Sequence, residues 1–169
     1  DDVLSGGIGL DMLYGNAGND SFVFNTLAEI GDRIMDFGAA AGNNDTILVS
    51  AAGFGAGLVA GALGANRFWA SATGLSHDAD DRFMLRLTDR TVWFDADGTG
   101  AGGRVLVADL QEMAANWAPG GAALAGAVRL SEDDIGGLLV PRLLDDGWTV
   151  RVLTRSSERL RGRDWIDRV

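Results

Sequence analysis

The sequence predicts a mainly β fold: a short solenoid of stacked β-turns, a β-rich cap, and a small α/β or partly disordered tail. Three observations lead there. Asp2, Asp11 and Asp20 recur every nine residues, and Leu4, Leu13 and Phe22 keep the same period, as do Gly9 and Gly18. A fixed short period of glycine, aspartate and one large apolar residue marks stacked turns that share a core. Residues 82–110 then alternate polar with apolar in three runs separated by Gly and Asp turn signals, the pattern of strands. From residue 135 onward the pattern changes again, to a helix-like run followed by one alternating run. The expected segments are 1–50 for the repeats and their closing strands, 51–117 for the cap, 118–134 for a linker or closing strand, and 135–169 for the tail.

Each repeat pairs a glycine-rich turn with a three-residue strand. Glycine serves where the backbone takes φ > 0 or where backbones pack closely, and Asn16 and Asn19 also tolerate left-handed geometry. The large apolar residue of each strand points inward: Leu4, Leu13, then Phe22. Further on, Arg33-Ile34-Met35-Asp36-Phe37 alternates as a strand with Ile34 and Phe37 inward.

Residues 51–76 are rich in Ala and Gly and carry little charge. The glycines between Phe54 and Leu63 argue against a firm helix, so a loop or irregular helix feeding a short strand at Phe68-Trp69 is expected. The strands of the cap follow at 82–87, 91–94 and 104–110. Asp95-Ala96-Asp97-Gly98 between the last two either holds a cation or forms a tight hairpin turn. An EF-hand is excluded, because its twelfth position falls on Leu106 where a bidentate glutamate is required. His77, beside Asp78 and Asp80, reads as a loop residue.

Composition narrows the chemistry. The 169 residues carry a net charge of −10, with pI about 4.4. Nucleic acid is an unsuitable partner, since a phosphate binder needs a basic patch, whereas divalent cations favour oxygen ligands. The chain has no cysteine and one histidine, which excludes disulfides and counts against zinc. No apolar run is long enough to span a membrane, and no signal peptide is visible. The chain opens inside a repeat and reads as a C-terminal piece of something longer. All 14 basic residues are arginine; residues 1–127 hold 16 acids and 6 arginines, and residues 128–169 hold 8 of each. The Gly- and Ala-rich stretch at 118–127 lies just before that shift and argues for a boundary near 118–130.

The repeats resemble the RTX, or haemolysin-type calcium-binding, family. The resemblance continues through Asp20-Ser21-Phe22-Val23-Phe24, Gly31-Asp32-Arg33-Ile34-Met35-Asp36-Phe37 and Asn44-Asp45-Thr46-Ile47-Leu48. It extends into Asp80-Asp81-Arg82-Phe83, Trp93 to Gly100 and Val105 to Leu110, which are similar to the cap of serralysin-type secreted proteins. It covers about residues 1–115 and implies a parallel β-roll with calcium between turns. Asp2, Asp11 and Asp20 would supply carboxylates, with Gly7, Gly9, Asn16 and Gly18 in the turns that complete a shell of about six to eight oxygens. Asp2 and Asp20 stand two repeats apart and would share an ion, while Asp11 would look to a turn near residue 29, where the repeat has broken down. Asp32 and Asp36 would either ligate a terminal calcium or decorate a solvated strand face, and Asp95 and Asp97 are the further candidate ligands. The implied function is calcium-dependent folding of a secreted, extracellular bacterial protein after export by type I secretion machinery. A structural or adhesive surface module is a competing expectation. The zinc-protease motif HExxH is absent, so the catalytic activity of serralysins is not expected in this chain.

The run from Ile135 to Arg155 resembles the first βαβ unit of NAD(P)-binding epimerases and extended short-chain dehydrogenases. That resemblance would make the chain a fragment of such an enzyme fused to RTX sequence, with Gly136, Gly137 and Arg155 at the cofactor. The departures argue against it. Leu130 and Asp133 stand where the first two fingerprint glycines belong. Glu132, Asp133 and Asp134 put carboxylates where a phosphate should sit. There is no lysine for a Tyr-x-x-x-Lys motif. The expectation is no dinucleotide binding and no enzymatic activity. Residues 127–135 also look like the closing strand of an RTX domain.

Overall fold

The computed structural model describes residues 1–40, 42–99, 103–111 and 128–131. The expected tail 135–169, with Gly136, Gly137 and Arg155, lies outside the described residues, as does most of the 118–134 segment.

Among the described residues the fold is mainly β, built as two mixed sheets plus a two-stranded ribbon. The strands are β1 (Val3–Leu4), β2 (Met12–Leu13), β3 (Ser21–Phe24), β4 (Asp32–Ile34), β5 (Ala39–Ala40), β6 (Asn43–Asn44), β7 (Thr46–Ser50), β8 (Gly61–Ala62), β9 (Phe68–Ser71), β10 (Phe83–Arg86), β11 (Thr91–Phe94), β12 (Val105–Leu110) and β13 (Val128–Ser131). One sheet runs β1-β3-β7-β13-β8 and the other β2-β4-β12-β11-β10-β9. The first four strands therefore alternate between sheets, each nonapeptide supplying one strand and then crossing over.

Pairing among these early strands is parallel. Val3 pairs with Ser21 and Leu4 with Phe22; Met12 pairs with Arg33 and Leu13 with Ile34; Ser21 pairs with Thr46 and Phe22 with Ile47. The turns between them use left-handed backbone at matched places. Gly7 (φ 80°) and Asn16 (φ 63°) occupy the same position of successive turns. Asparagine is tolerated there because its short polar side chain suits the αL region.

The later strands close the stack with antiparallel ribbons, β10–β11–β12 in one sheet and β8–β13 in the other. The β11–β12 register shifts between Val92 and Trp93. This bulge inserts Val107 as an extra residue, so both Val107 and Ala108 reach the core. β12 pairs in parallel with β4, and β13 with β7, so the later strands extend both early sheets.

The inward sides of both sheets meet in one apolar cluster. Phe22, Phe24, Ile34, Ile47, Val49, Phe83, Leu85, Phe94 and Leu110 are almost wholly buried in it, and Leu4 and Leu13 pack against it half-buried. The inward placement expected for Leu4, Leu13, Phe22, Ile34 and Phe37 is found. Residues 51–76 hold one four-residue helical turn, α1 (Ala51–Phe54), started by the Ser50 hydroxyl accepting the Gly53 N–H at 3.0 Å, and a 3-10 turn at Ala65–Arg67. Phe54 from α1 joins Phe83 and Phe94, with ring centroids 6.1 and 5.1 Å away.

Candidate functional site

The aspartates that precede the strands form two rows along the stack. In one row the Asp20 carboxylate accepts the Asp2 N–H at 2.6 Å, and the Asp45 carboxylate accepts the Asp20 N–H at 2.9 Å and the Gly38 N–H at 2.6 Å. In the other row Asp32 accepts the Asp11 N–H at 2.9 Å. Each carboxylate thus satisfies a backbone donor of the preceding coil, just where the chain enters a strand. Asp36 does the same for a turn, with its two oxygens on the N–H groups of Gly15 and Asn16 at 2.9 and 2.8 Å. Asp36 therefore faces the glycine turn rather than decorating a solvated strand face.

The pairing of Asp11 corrects the sequence reading. Its partner is Asp32, 21 residues on, and not a position near residue 29. Asp2 and Asp20 keep the 18-residue spacing. The turn at 25–31 absorbs the three extra residues. There Glu29, itself buried, accepts the backbone N–H and side-chain amide of Asn25. Asp45 is the site residue that sequence reasoning missed. The signal was present: Asn44-Asp45 before β7 repeats Asn19-Asp20 before β3.

These hydrogen bonds use one oxygen of Asp20 and one of Asp32. The second oxygen of each, Oδ2, is buried without a hydrogen-bond partner. Both face the glycine turns: a Cβ at Gly15 would lie 2.6 Å from Asp20 Oδ2, and one at Gly6 would lie 2.6 Å from Asp32 Oδ2 and 2.8 Å from Asp11 Oδ2. Glycine at 6 and 15 leaves room for those oxygens. The Asp2 side chain, by contrast, is exposed, and only its N–H meets Asp20. Gly7, Gly9 and Gly18 lie in the same turns at positive φ, and the Gly18 N–H reaches Asn43 Oδ1 at 3.2 Å.

Burial without full pairing shows in the electrostatics. Burial, with the Asp11 and Glu29 charges adding to it, pushes the Asp32 carboxyl up from 3.8 to about 6 against the opposing Asp11 N–H bond. Burial likewise raises Asp45. Burial of this kind penalises the charged carboxylate, which holds its proton more tightly unless positive charge or further donors reach it.

Two further clusters lie in the cap. Asp95 Oδ1 accepts the N–H groups of Asp97 and Gly98, each at 3.1 Å, and Asp97 Oδ1 accepts the Thr99 N–H at 2.9 Å and hydroxyl at 2.7 Å. The bond from the Thr99 hydroxyl is the main reason the Asp97 carboxyl is held below the usual range. These bonds define a self-capped turn, with Asp95 Oδ2 left buried and unpartnered. His77 is bound through Nδ1 to Asp81 at 2.8 Å and through Nε2 to Asp78 at 3.1 Å, so Asp81, not Asp80, is its second acidic partner. The hydrogen bond to Asp81 raises the imidazole's affinity for its proton.

No helix of the described residues is long and apolar enough to cross a membrane. No protein-family model, curated protein or solved structure matches this chain.

Proposed function

We propose that this chain is a calcium-binding β-roll module of RTX type, from a secreted protein that folds when it meets calcium after type I export. The observation that carries the reading is the pair of buried, unpartnered oxygens, Asp20 Oδ2 and Asp32 Oδ2, each facing a glycine turn. Asp11, Asp20 and Asp32, with Asp45 and Asp36 behind them, would hold calcium, and carbonyl oxygens of the glycine turns would complete the shell. Calcium supplies positive charge to carboxylates that burial otherwise penalises. Asp20 and Asp32 themselves hold the coil starts together through their first oxygens. The unfolded chain has no such arrangement, so binding free energy becomes folding free energy. Extracellular modules of this kind work at about 10⁻⁴–10⁻³ M calcium, which keeps the chain unfolded where calcium is scarce and folds it outside the cell. Its role is coupled folding and binding rather than catalysis.

Calcium titration by calorimetry tests the assignment. Asp20→Asn and Gly15→Ala, which respectively remove the charge and place a methyl against Asp20 Oδ2, are each expected to lower the number of ions bound. An unchanged count in both variants would overturn it.

A further inference from the structure

We propose that His77 and Asp78 form a site for a divalent transition cation of the zinc class, positioned by the buried Asp81 and separate from the oxygen-only glycine turns. The loop before β10 is wound around Asp81, which is 1% exposed. Asp81 Oδ2 accepts the backbone N–H groups of His77 at 2.6 Å and Asp78 at 3.2 Å, and meets His77 Nδ1 at 2.8 Å. A carboxylate on Nδ1 makes that nitrogen the proton carrier and leaves the Nε2 lone pair for a ligand. This is the outer-shell carboxylate that orients metal-binding histidines and raises their basicity.

Nε2 points at Asp78 Oδ2, 3.1 Å away. In the imidazolium a proton on Nε2 holds this contact, and a divalent cation would displace that proton and bridge the same two atoms. Two ligands on one zinc, with bonds of roughly 2.0–2.2 Å at a tetrahedral angle, stand about 3.3 Å apart. The observed separation is therefore close to that of two ligands on one ion, and donor atoms from His77, Asp78 and Asp81 all lie within 4.8 Å of one another. The Trp69 indole stacks on the imidazole at 4.1 Å and 20°, fixing the ring plane. Both outer side chains are about half exposed, at 49% and 50%, which leaves the ion open to water for its remaining positions. An imidazole nitrogen beside carboxylate oxygen selects a borderline cation over calcium. A single histidine counted against zinc only while its acidic neighbours were unplaced.

His77 is the chain's one histidine, so its ring signals stand alone in a nitrogen-resolved NMR spectrum of the full chain. Zinc is expected to shift the Nε2 resonance saturably and to perturb Trp69 fluorescence, while calcium leaves the ring unmoved. Asp78→Asn is expected to weaken the zinc response at least tenfold, and Asp81→Asn by roughly 10–100-fold. If Asp81→Asn does not fold, the surface variant Asp78→Asn still decides. No zinc-dependent ring shift, an equal shift with calcium, or an unweakened response in Asp78→Asn would each overturn the site.

Discussion

Phe94→Ala is expected to cost about 3–5 kcal/mol, the range for deleting a buried aromatic ring. Phe94 is 1% exposed, and its ring meets Phe54 edge-on at 5.1 Å and Phe83 at 5.2 Å. The three rings tie the helical turn α1 to β10 and β11, and so tie the cap to the strands on either side. Natural domains have about 5–15 kcal/mol in hand, so the calcium-loaded variant should unfold at a clearly lower denaturant concentration than the parent chain. Denaturant titration checks this, with Trp93→Phe as the control. Trp93 lies on the same strand but is only partly buried, with Arg104 and Arg86 against its ring at 4.5 and 5.3 Å. Cation–π contacts at such sites are worth roughly 0.5–1 kcal/mol. A small loss for Phe94→Ala, equal to that of Trp93→Phe, would contradict the core described.

The second large effect is on pH dependence. The Asp32 carboxyl is raised in the folded state, from 3.8 to about 6. Its contribution to stability is therefore fully present below pH 3.8 and is lost as pH rises through about 6. Across that window the calcium-free fold should lose roughly 3 kcal/mol from this one group. Asp45, raised by burial as well, adds in the same direction. Asp32→Asn should flatten the dependence and stabilise the calcium-free protein at neutral pH, while weakening its response to calcium. Far-ultraviolet circular dichroism in chelator at about pH 4 and about pH 7.5 reads both effects, with more β signal expected at the lower pH and a narrower gap in Asp32→Asn. Equal β signal at the two values in the calcium-free protein would show that Asp32 is not carrying a buried charge.

Much of the fold was legible because its causes are local. The shared phase of Leu4, Leu13 and Phe22 marked the inward face, and alternation placed β10, β11 and β12 to within a residue or two. What stayed hidden depended on contacts between distant positions. The ladder of β13 on β7, Val128 with Ile47, has no local signature. Asp11 was assigned to a turn near residue 29 because an 18-residue step was assumed, whereas the loop holding Glu29 lengthens that coil and delivers Asp32 instead. Asp45 repeats the Asn-Asp pair of Asn19-Asp20, but its place beside Asp20 emerges only when β7 pairs with β3. At His77 the sequence offered three acidic neighbours, and the winding of the loop selected Asp78 and Asp81 over Asp80.

The central claim is that calcium drives this chain to fold. Its most direct test is far-ultraviolet circular dichroism of chelator-stripped protein during calcium addition, with magnesium as the comparison. Magnesium demands tighter octahedral geometry and gives up its water reluctantly. The account predicts a saturable gain in β signal with calcium near about 10⁻⁴–10⁻³ M, little gain with magnesium, and a diminished gain in Asp20→Asn. No gain in β signal with calcium up to about 10 mM, well above that range, would contradict it.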